Sequence, residues 1–259
     1  MYHDVTAPGL EDSSGFPGPG AARYKLSPVE FEHHLDRIAA VVREAPLVST
    51  SPDTLKSANG QSWTITFDDG GSSAATEIAR QLERRGWRGW FFIPTDFIGT
   101  KSFCTREQVR ELHRRGHVIG SHSSSHPERI SSCSWETLVD EWSKSSYVLS
   151  EIIGQHVTTA SVPGGFYSKE VARAAAKSGI NVLFNSEPTT TCSTVDGALI
   201  LGRYNIYRGM SEADAASLVT SPLRRWRQGA FWNLKKAAKV LAGPIYKSLR
   251  QKILAKQYK

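Results

Sequence analysis

Two short runs combine residue types and spacing suited to metal chemistry. They are Thr66-Phe67-Asp68-Asp69-Gly70-Gly71 and, about fifty residues later, His122-Ser123-Ser124-Ser125-His126. Adjacent carboxylates at the end of an extended segment are expected to point in different directions, because successive side chains alternate. One can then bind a cation while its neighbour faces an attacking water, with Gly70 and Gly71 permitting a tight turn and the close approach of a ligand. The bland alternative is a surface turn whose Asp residues cap a helix. With ten Asp in the chain, roughly 0.4 adjacent pairs arise by chance, so the pair alone is weak. Two His at i and i+4 face the same way on a helical turn and can chelate one ion. About one chain in four of this composition carries such a pair by accident. Taken together, the runs offer one Asp and two His, three ligands with positions left open. That is the pattern of a catalytic rather than a structural zinc, and it suits Fe²⁺ as well.

Such side chains need a scaffold that brings them together. From Trp63 onward, short apolar runs alternate with amphipathic segments: strands are expected over Trp63–Phe67, Trp90–Ile93, His117–Ser121, Ala160–Val162, Asn181–Asn185 and Leu199–Ile206. Helices are expected over Ser72–Arg85, Thr105–Arg114, Ser134–Ile153, Lys169–Ser178 and Ser211–Thr220, after an earlier one at Pro28–Glu44 opened by Ser27. Residues 7–20, rich in Pro and Gly, read as an irregular loop. This alternation predicts right-handed βαβ units around a parallel sheet, either a barrel or partial barrel or a doubly wound open sheet. Both architectures place active sites at the carboxyl ends of the strands. Asp68-Asp69, His122 and Pro163-Gly164-Gly165 each directly follow a predicted strand, so three separate polar clusters fall at one end of the sheet.

The run Thr-Phe-Asp-Asp-Gly followed by His-Ser-x-x-x-His resembles the first two motifs of the polysaccharide deacetylase proteins (NodB-like, carbohydrate esterase family 4). Met1-Tyr2-His3-Asp4-Val5 resembles the start of many members, and Ser161-Val162-Pro163-Gly164-Gly165 a variant of their third motif. The likeness runs to about Ile206. It implies an α/β fold, a distorted, incomplete (β/α) TIM-like barrel with fewer units than the full form; the composition of the segment after it predicts a basic C-terminal helical tail. It also implies roles: Asp69, His122 and His126 as metal ligands, Asp68 as general base, and Gly164 after Pro163 as the backbone N–H donor to an oxyanion. A divalent ion, with zinc expected, would polarise the acetyl carbonyl and acidify the attacking water. The chain departs from the pattern twice. The third motif usually begins with an Arg that pairs with the catalytic Asp, and Ser161 stands there. The last motif usually supplies a His that protonates the leaving amine, and Leu201-Gly202-Arg203-Tyr204-Asn205-Ile206 holds none. His3 is one candidate for the acid, with a structural histidine as the alternative, and Arg203 is a candidate for positioning or charge stabilisation. His33, His34, His113, His117 and His156 receive no role, and Trp87 and Trp90 read as packing, with stacking on a sugar as the alternative.

The expected activity is therefore metal-dependent removal of an acetyl group from an N-acetylated sugar in a polysaccharide, glycan precursor or lipid-linked sugar. The alternatives are a catalytically silent, metal-containing glycan-binding protein, and an amide or imide hydrolase of the same fold acting on a small molecule. The chain has 259 residues and a formal net charge of +7, but that average conceals an asymmetry. Ser221 to Lys259 carries eleven Lys and Arg and no acid, which leaves 21 basic against 25 acidic side chains elsewhere. The expected organisation is a catalytic domain over 1–220 and a tail over 221–259 broken by Gly243-Pro244. Basic residues interleaved with Trp, Phe and Leu have the composition of an interfacial helix on an anionic membrane. The alternative is that these helices pack on the barrel. No nucleic-acid recognition motif is present. With three cysteines (Cys104, Cys133, Cys192) and no recognisable leader, free thiols and a cytoplasmic location, peripheral at the inner membrane face, are expected.

Overall fold

The structure, a computed structural model, describes residues 1–58 and 62–234. In chain order the helices are α1 (Pro19–Ala22), α2 (Pro28–Ala39), α3 (Pro52–Ser57), α4 (Ala79–Glu83), α5 (Arg106–Arg114), α6 (Trp135–Ile153), α7 (Lys169–Lys177), α8 (Glu212–Thr220) and α9 (222–234). The strands are β1 (Thr66–Phe67), β2 (Trp90–Ile93), β3 (Val118–Ser121), β4 (Thr159–Ser161), β5 (Val182–Phe184), β6 (Ser193–Val195) and β7 (Ala198–Leu201). They form one sheet in the order β1-β2-β3-β4-β5-β7-β6, parallel throughout except for the β6–β7 pair. The expected incomplete barrel is this curled parallel sheet.

The first residues of the chain bridge β1 to the segment that follows β7. Tyr2 N–H donates to the Thr66 carbonyl (2.8 Å), and Asp68 N–H donates to the Tyr2 carbonyl (3.2 Å). On the other side Met1 N donates to the Tyr204 carbonyl (2.8 Å), and Ile206 N–H to the Met1 carbonyl (3.0 Å). Met1 and Tyr2 therefore act as a stave between β1 and the chain beyond β7, and His3 follows at its end.

Strand alternation divides the core in two. Trp90, Phe92, Val182, Phe184 and Leu199 point into the barrel and pack with Leu55. Phe67, Phe91, Ile93 and Ile119 face the helix layer around Ile78, Leu82, Val109 and Leu112. Burial on both faces explains why these strands read as continuous apolar runs. Capping sets the helix starts: Ser27 and Thr105 form capping boxes with Glu30 and Gln108, and Ser134, Ser168 and Ser211 each accept from a first-turn N–H.

Several boundaries differ from expectation. α2 stops at Ala39 rather than Glu44, short of Pro46, which disfavours helix in the residue before it. β1 starts at Thr66 because Leu47 takes the Trp63 carbonyl (2.8 Å). A π-turn at Ala74–Ile78 precedes α4. α3 and the edge strand β6 are unanticipated, and β7 ends at Leu201 rather than Ile206. The tail helix expected beyond Gly243-Pro244 lies outside the described residues.

The loop between Val5 and α1 is irregular, as its composition suggests, but it is firmly held. Lys25, 1% exposed, donates to the carbonyls of Glu11 (2.7 Å), Ser14 (2.6 Å) and Phe16 (2.6 Å). All three ammonium protons are thus used on one short loop, while burial lowers the Lys25 pKa. Replacing Lys25 with Met should orphan three carbonyls and lower stability by about 3 kcal/mol. Urea unfolding of the two proteins would measure it.

Candidate active site

The polar clusters converge at the carboxyl ends of the strands. Asp69 Oδ1 lies 3.4 Å from His122 Nε2 and 3.6 Å from His126 Nε2. One donor atom from each of these three residues lies within 4.8 Å of the other two. The backbone does not deliver them as expected. Asp69 is not the next position of a strand: its φ is 72°, and this left-handed turn parts its carboxylate from that of Asp68. Residues 122–126 form a loop rather than a helical turn, with φ of 61° at Ser123 and 52° at His126. Such values cost about 1–3 kcal/mol each and persist where the surroundings enforce them.

The enforcing group is Glu141, on the buried face of α6. Its carboxylate accepts from Ser124 N–H (2.8 Å), Ser125 N–H (2.9 Å) and Ser125 Oγ–H (2.5 Å). Ser123 Oγ accepts from His126 N–H (3.1 Å). On the other flank the Phe16 ring packs 4.5 Å from the His126 ring, so the loop clamped by Lys25 forms one wall of the site. Asp4 joins that loop to the Asp69 turn by accepting from Ser14 Oγ and Ser73 Oγ, both at 2.7 Å. Gly71 is needed here because a Cβ would lie 2.0 Å from Asp4 Oδ1. The close neighbour at this glycine is a carboxylate of the chain itself, not a ligand as the sequence suggested.

The donor set fits a divalent cation. His122 Nδ1 lies 2.9 Å from the Ser161 carbonyl. That contact places the proton on Nδ1 and leaves the Nε2 lone pair facing Asp69, the usual arrangement of a ligating His. Burial, and then the neighbouring His122, push the His126 pKa down to about 4, so this ring is neutral. Burial alone would lower His122, but Asp68 and Asp69 outweigh it and raise its pKa. Burial raises and the three nearby His lower the Asp69 carboxyl, with a net shift downward.

Beside this triad, Asp68 is gripped by the residue that the sequence left with an open role. Arg203 Nη1 donates to Asp68 Oδ1 (2.7 Å) and Thr66 Oγ1 (3.1 Å). Arg203 Nη2 donates to Asp68 Oδ2 (2.8 Å) and Ser161 Oγ (2.6 Å), and Nε donates to the Asn185 carbonyl (3.0 Å). All five guanidinium protons are used, on partners at the ends of β1, β4 and β5. The guanidinium lies over the rings of Phe92 (5.6 Å) and Phe184 (5.7 Å), which fill the barrel below. Burial opposes ionisation of Asp68, yet Arg203, followed by His122, holds its carboxyl well below the usual range. The arginine missing at position 161 is therefore supplied from beyond β7. Ser161, whose hydroxyl donates to Asp68 Oδ2 (3.1 Å), leaves the space that the guanidinium occupies.

The remaining expected residues lie around this centre. The His3 ring packs 4.8 Å from Tyr24, its Nδ1 is enclosed without a hydrogen-bond partner, and its charge would favour ionised Asp68 and Asp69. Pro163 and Gly164 form the turn after β4, with Gly164 at φ 60° and ψ 6°. His34 and His117 are satisfied core residues, bonded to the Met210 carbonyl and Glu83 (both 2.8 Å), and Trp90 is fully buried. All three cysteines are free.

At the mouth of the distorted parallel barrel, an Asp-His-His cluster that could hold a metal ion lies beside an arginine-held carboxylate. Residues 56–183, just under half of the chain, match the family model described as polysaccharide deacetylase. YxkH of Bacillus subtilis (strain 168), named for the same family, is 29% identical over 157 residues, 61% of this chain and 56% of YxkH. The peptidoglycan-N-acetylglucosamine deacetylase PgdA of Listeria monocytogenes is also 29% identical over 157 residues, 60% of this chain and 32% of PgdA. The match thus spans about half or less of these relatives. The fold is shared with the Streptococcus pyogenes deacetylase PplD, solved in complex with acetate: TM-score 0.67, 19% identity, 82% of this chain and 92% of that one.

Arg203→Met would leave Asp68 buried without its counter-charge, at a cost of about 3–5 kcal/mol near neutral pH. The sign with pH follows from the depressed carboxyl. In the wild type, stability from Asp68 is full above the unfolded carboxyl pKa (about 4) and declines as pH falls below it. In Arg203→Met the Asp68 pKa is raised, so protonation relieves the variant as pH falls. The gap between the two proteins in urea unfolding should therefore narrow from pH 7 to pH 5.

Proposed function

We propose that this chain is a metal-dependent hydrolase that removes the acetyl group from an N-acetylated sugar of a polysaccharide or glycan precursor. The observation that carries this reading is the convergence of Asp69, His122 and His126 within 4.8 Å, directly beside an ionised Asp68. The deacetylase names of the relatives support the class of bond and substrate. Asp69, His122 and His126 would hold the cation, and zinc suits one carboxylate and two imidazoles. Bound there, the cation supplies Lewis-acid polarisation of the acetyl carbonyl and acidifies the attacking water.

The rest of the chemistry belongs to the chain's own groups. Asp68 takes a proton from the water as its oxygen bonds to the acetyl carbon. The ion pair with Arg203 keeps Asp68 anionic and fixes its orientation, while Ser161 restrains Oδ2. The Gly164 N–H, in the turn after β4, is assigned to the oxyanion. Amide anions leave poorly, so the C–N bond breaks as the nitrogen receives a proton, and His3 is assigned as its donor. The products are acetate and a free amino sugar. Against the silent-binder alternative stands Arg203, which holds Asp68 where the arginine of the third motif is absent.

The test is acetate release from N-acetylated oligosaccharides together with metal content. Wild-type protein should hold about one divalent ion per chain and release acetate, and a chelator should abolish release. Asp69→Ala should lose the metal. Asp68→Asn should retain it while activity falls by at least about a hundredfold. Metal-loaded wild type that releases no acetate from any such sugar would contradict the proposal.

A further inference from the structure

Helix α9 has two unlike faces. Arg224, Arg225, Gln228, Gly229 and Trp232 are half-buried against the barrel. Gln228 Nε2 donates to the Asn205 carbonyl (3.0 Å), and Arg225 Nη1 to the Val219 carbonyl (2.8 Å). The Trp232 ring reaches the turn that carries Gly164: a Cβ placed on Gly165 would lie 4.0 Å from it. The helix is therefore anchored at the rim of the candidate active site.

Its other face is apolar and turned to solvent. Leu223, Trp226 and Leu234 are 61%, 68% and 66% exposed, and with exposed Ala230 they recur at i, i+3, i+7 and i+11, one helical stripe. Contiguous apolar surface of this kind marks an interaction site. Arg227 is exposed beside the stripe, and the sequence continues with Lys235, Lys236 and Lys239. From Ser221 to the end of the sequence there are eleven Lys and Arg and no acid, whereas the preceding 220 residues are net acidic. An acidic protein partner would satisfy the charge but not the indole and leucines. A bilayer of anionic phospholipid satisfies both, with the stripe in the headgroup–acyl boundary and the cations at the phosphates.

We propose that the outer face of α9 docks the protein on an anionic membrane surface. No described helix is long and apolar enough to cross a membrane. Because α9 abuts the turn after β4, docking sets the candidate site close to the lipid surface. Resting on the deacetylase reading, this favours N-acetylated glycans carried on lipid over those free in solution.

The test is flotation of the full chain with vesicles of phosphatidylcholine alone or with about one-third phosphatidylglycerol. Wild type should float with the anionic vesicles and not the zwitterionic ones, and less so as salt is raised. The variant Leu223→Glu/Trp226→Glu/Leu234→Glu should reduce the bound fraction at least about tenfold. Its thermal midpoint, and its acetate release from a soluble oligosaccharide where the wild type has any, should stay unchanged. Absence of wild-type flotation, or equal flotation of the variant, overturns the proposal. So does a wild-type dimer in light scattering that the variant converts to monomer, which would assign the stripe to a second copy. Flotation is read without any substrate, so a failed deacetylase assay leaves this result standing and the reverse also holds.

Discussion

The ion pair between Asp68 and Arg203 is the interaction on which the rest of the mouth depends. A carboxylate this buried would become neutral without a partner, and a neutral Asp68 could not accept a proton. One guanidinium prevents this and at the same time ties together the ends of β1, β4 and β5. It rests on Phe92 and Phe184, so the aromatic filling of the barrel forms the floor beneath Asp68. Arginine suits the task because its planar fork engages both carboxylate oxygens and still has donors for three further acceptors.

The Asp69-His122-His126 cluster is held by a different device. Its residues lie on turns with left-handed backbone at Asp69, Ser123 and His126, a region uncommon outside glycine although Asp and His enter it more readily than most. They are imposed from outside: by Glu141 beneath the histidine loop, by Asp4 and Ser73 around the Asp69 turn, and by Phe16 on the Lys25-clamped loop against His126. The geometry of the cluster is thereby set from three distant segments, by polar contacts from Glu141 and Asp4 and a ring contact from Phe16. The histidine orientation is fixed in the same way, through the Ser161 carbonyl.

Much of this was legible in the sequence where the signal was local. The strand at Trp90–Ile93 is a bounded apolar run, and Thr105, Ser134 and Ser211 cap the helices that follow them. Asp68, Asp69, His122 and His126 fall at strand ends because a parallel α/β sheet gathers those ends on one side. What was hidden is non-local. Arg203 and Asp68 are separated by 135 positions, and no periodicity relates them. Glu141 left a faint sign, an acid on the buried face of α6 beside Leu138 and Trp142. Lys25 left none, because a buried lysine that satisfies carbonyls looks in sequence like any surface lysine. The helical turn expected at 122–126 failed because the i, i+4 spacing specifies two side chains on one side, not the backbone that carries them.

The central claim is that Arg203 acts through Asp68 and not on its own. The measurement that bears on it most directly is a double-mutant cycle on acetate release with Asp68→Asn, Arg203→Met and the combined variant. The account predicts that each single change lowers the rate by at least about a hundredfold, and that the double variant falls no more than about threefold below the worse single. Losses that multiply would contradict it, and would assign the guanidinium a role independent of the carboxylate it holds.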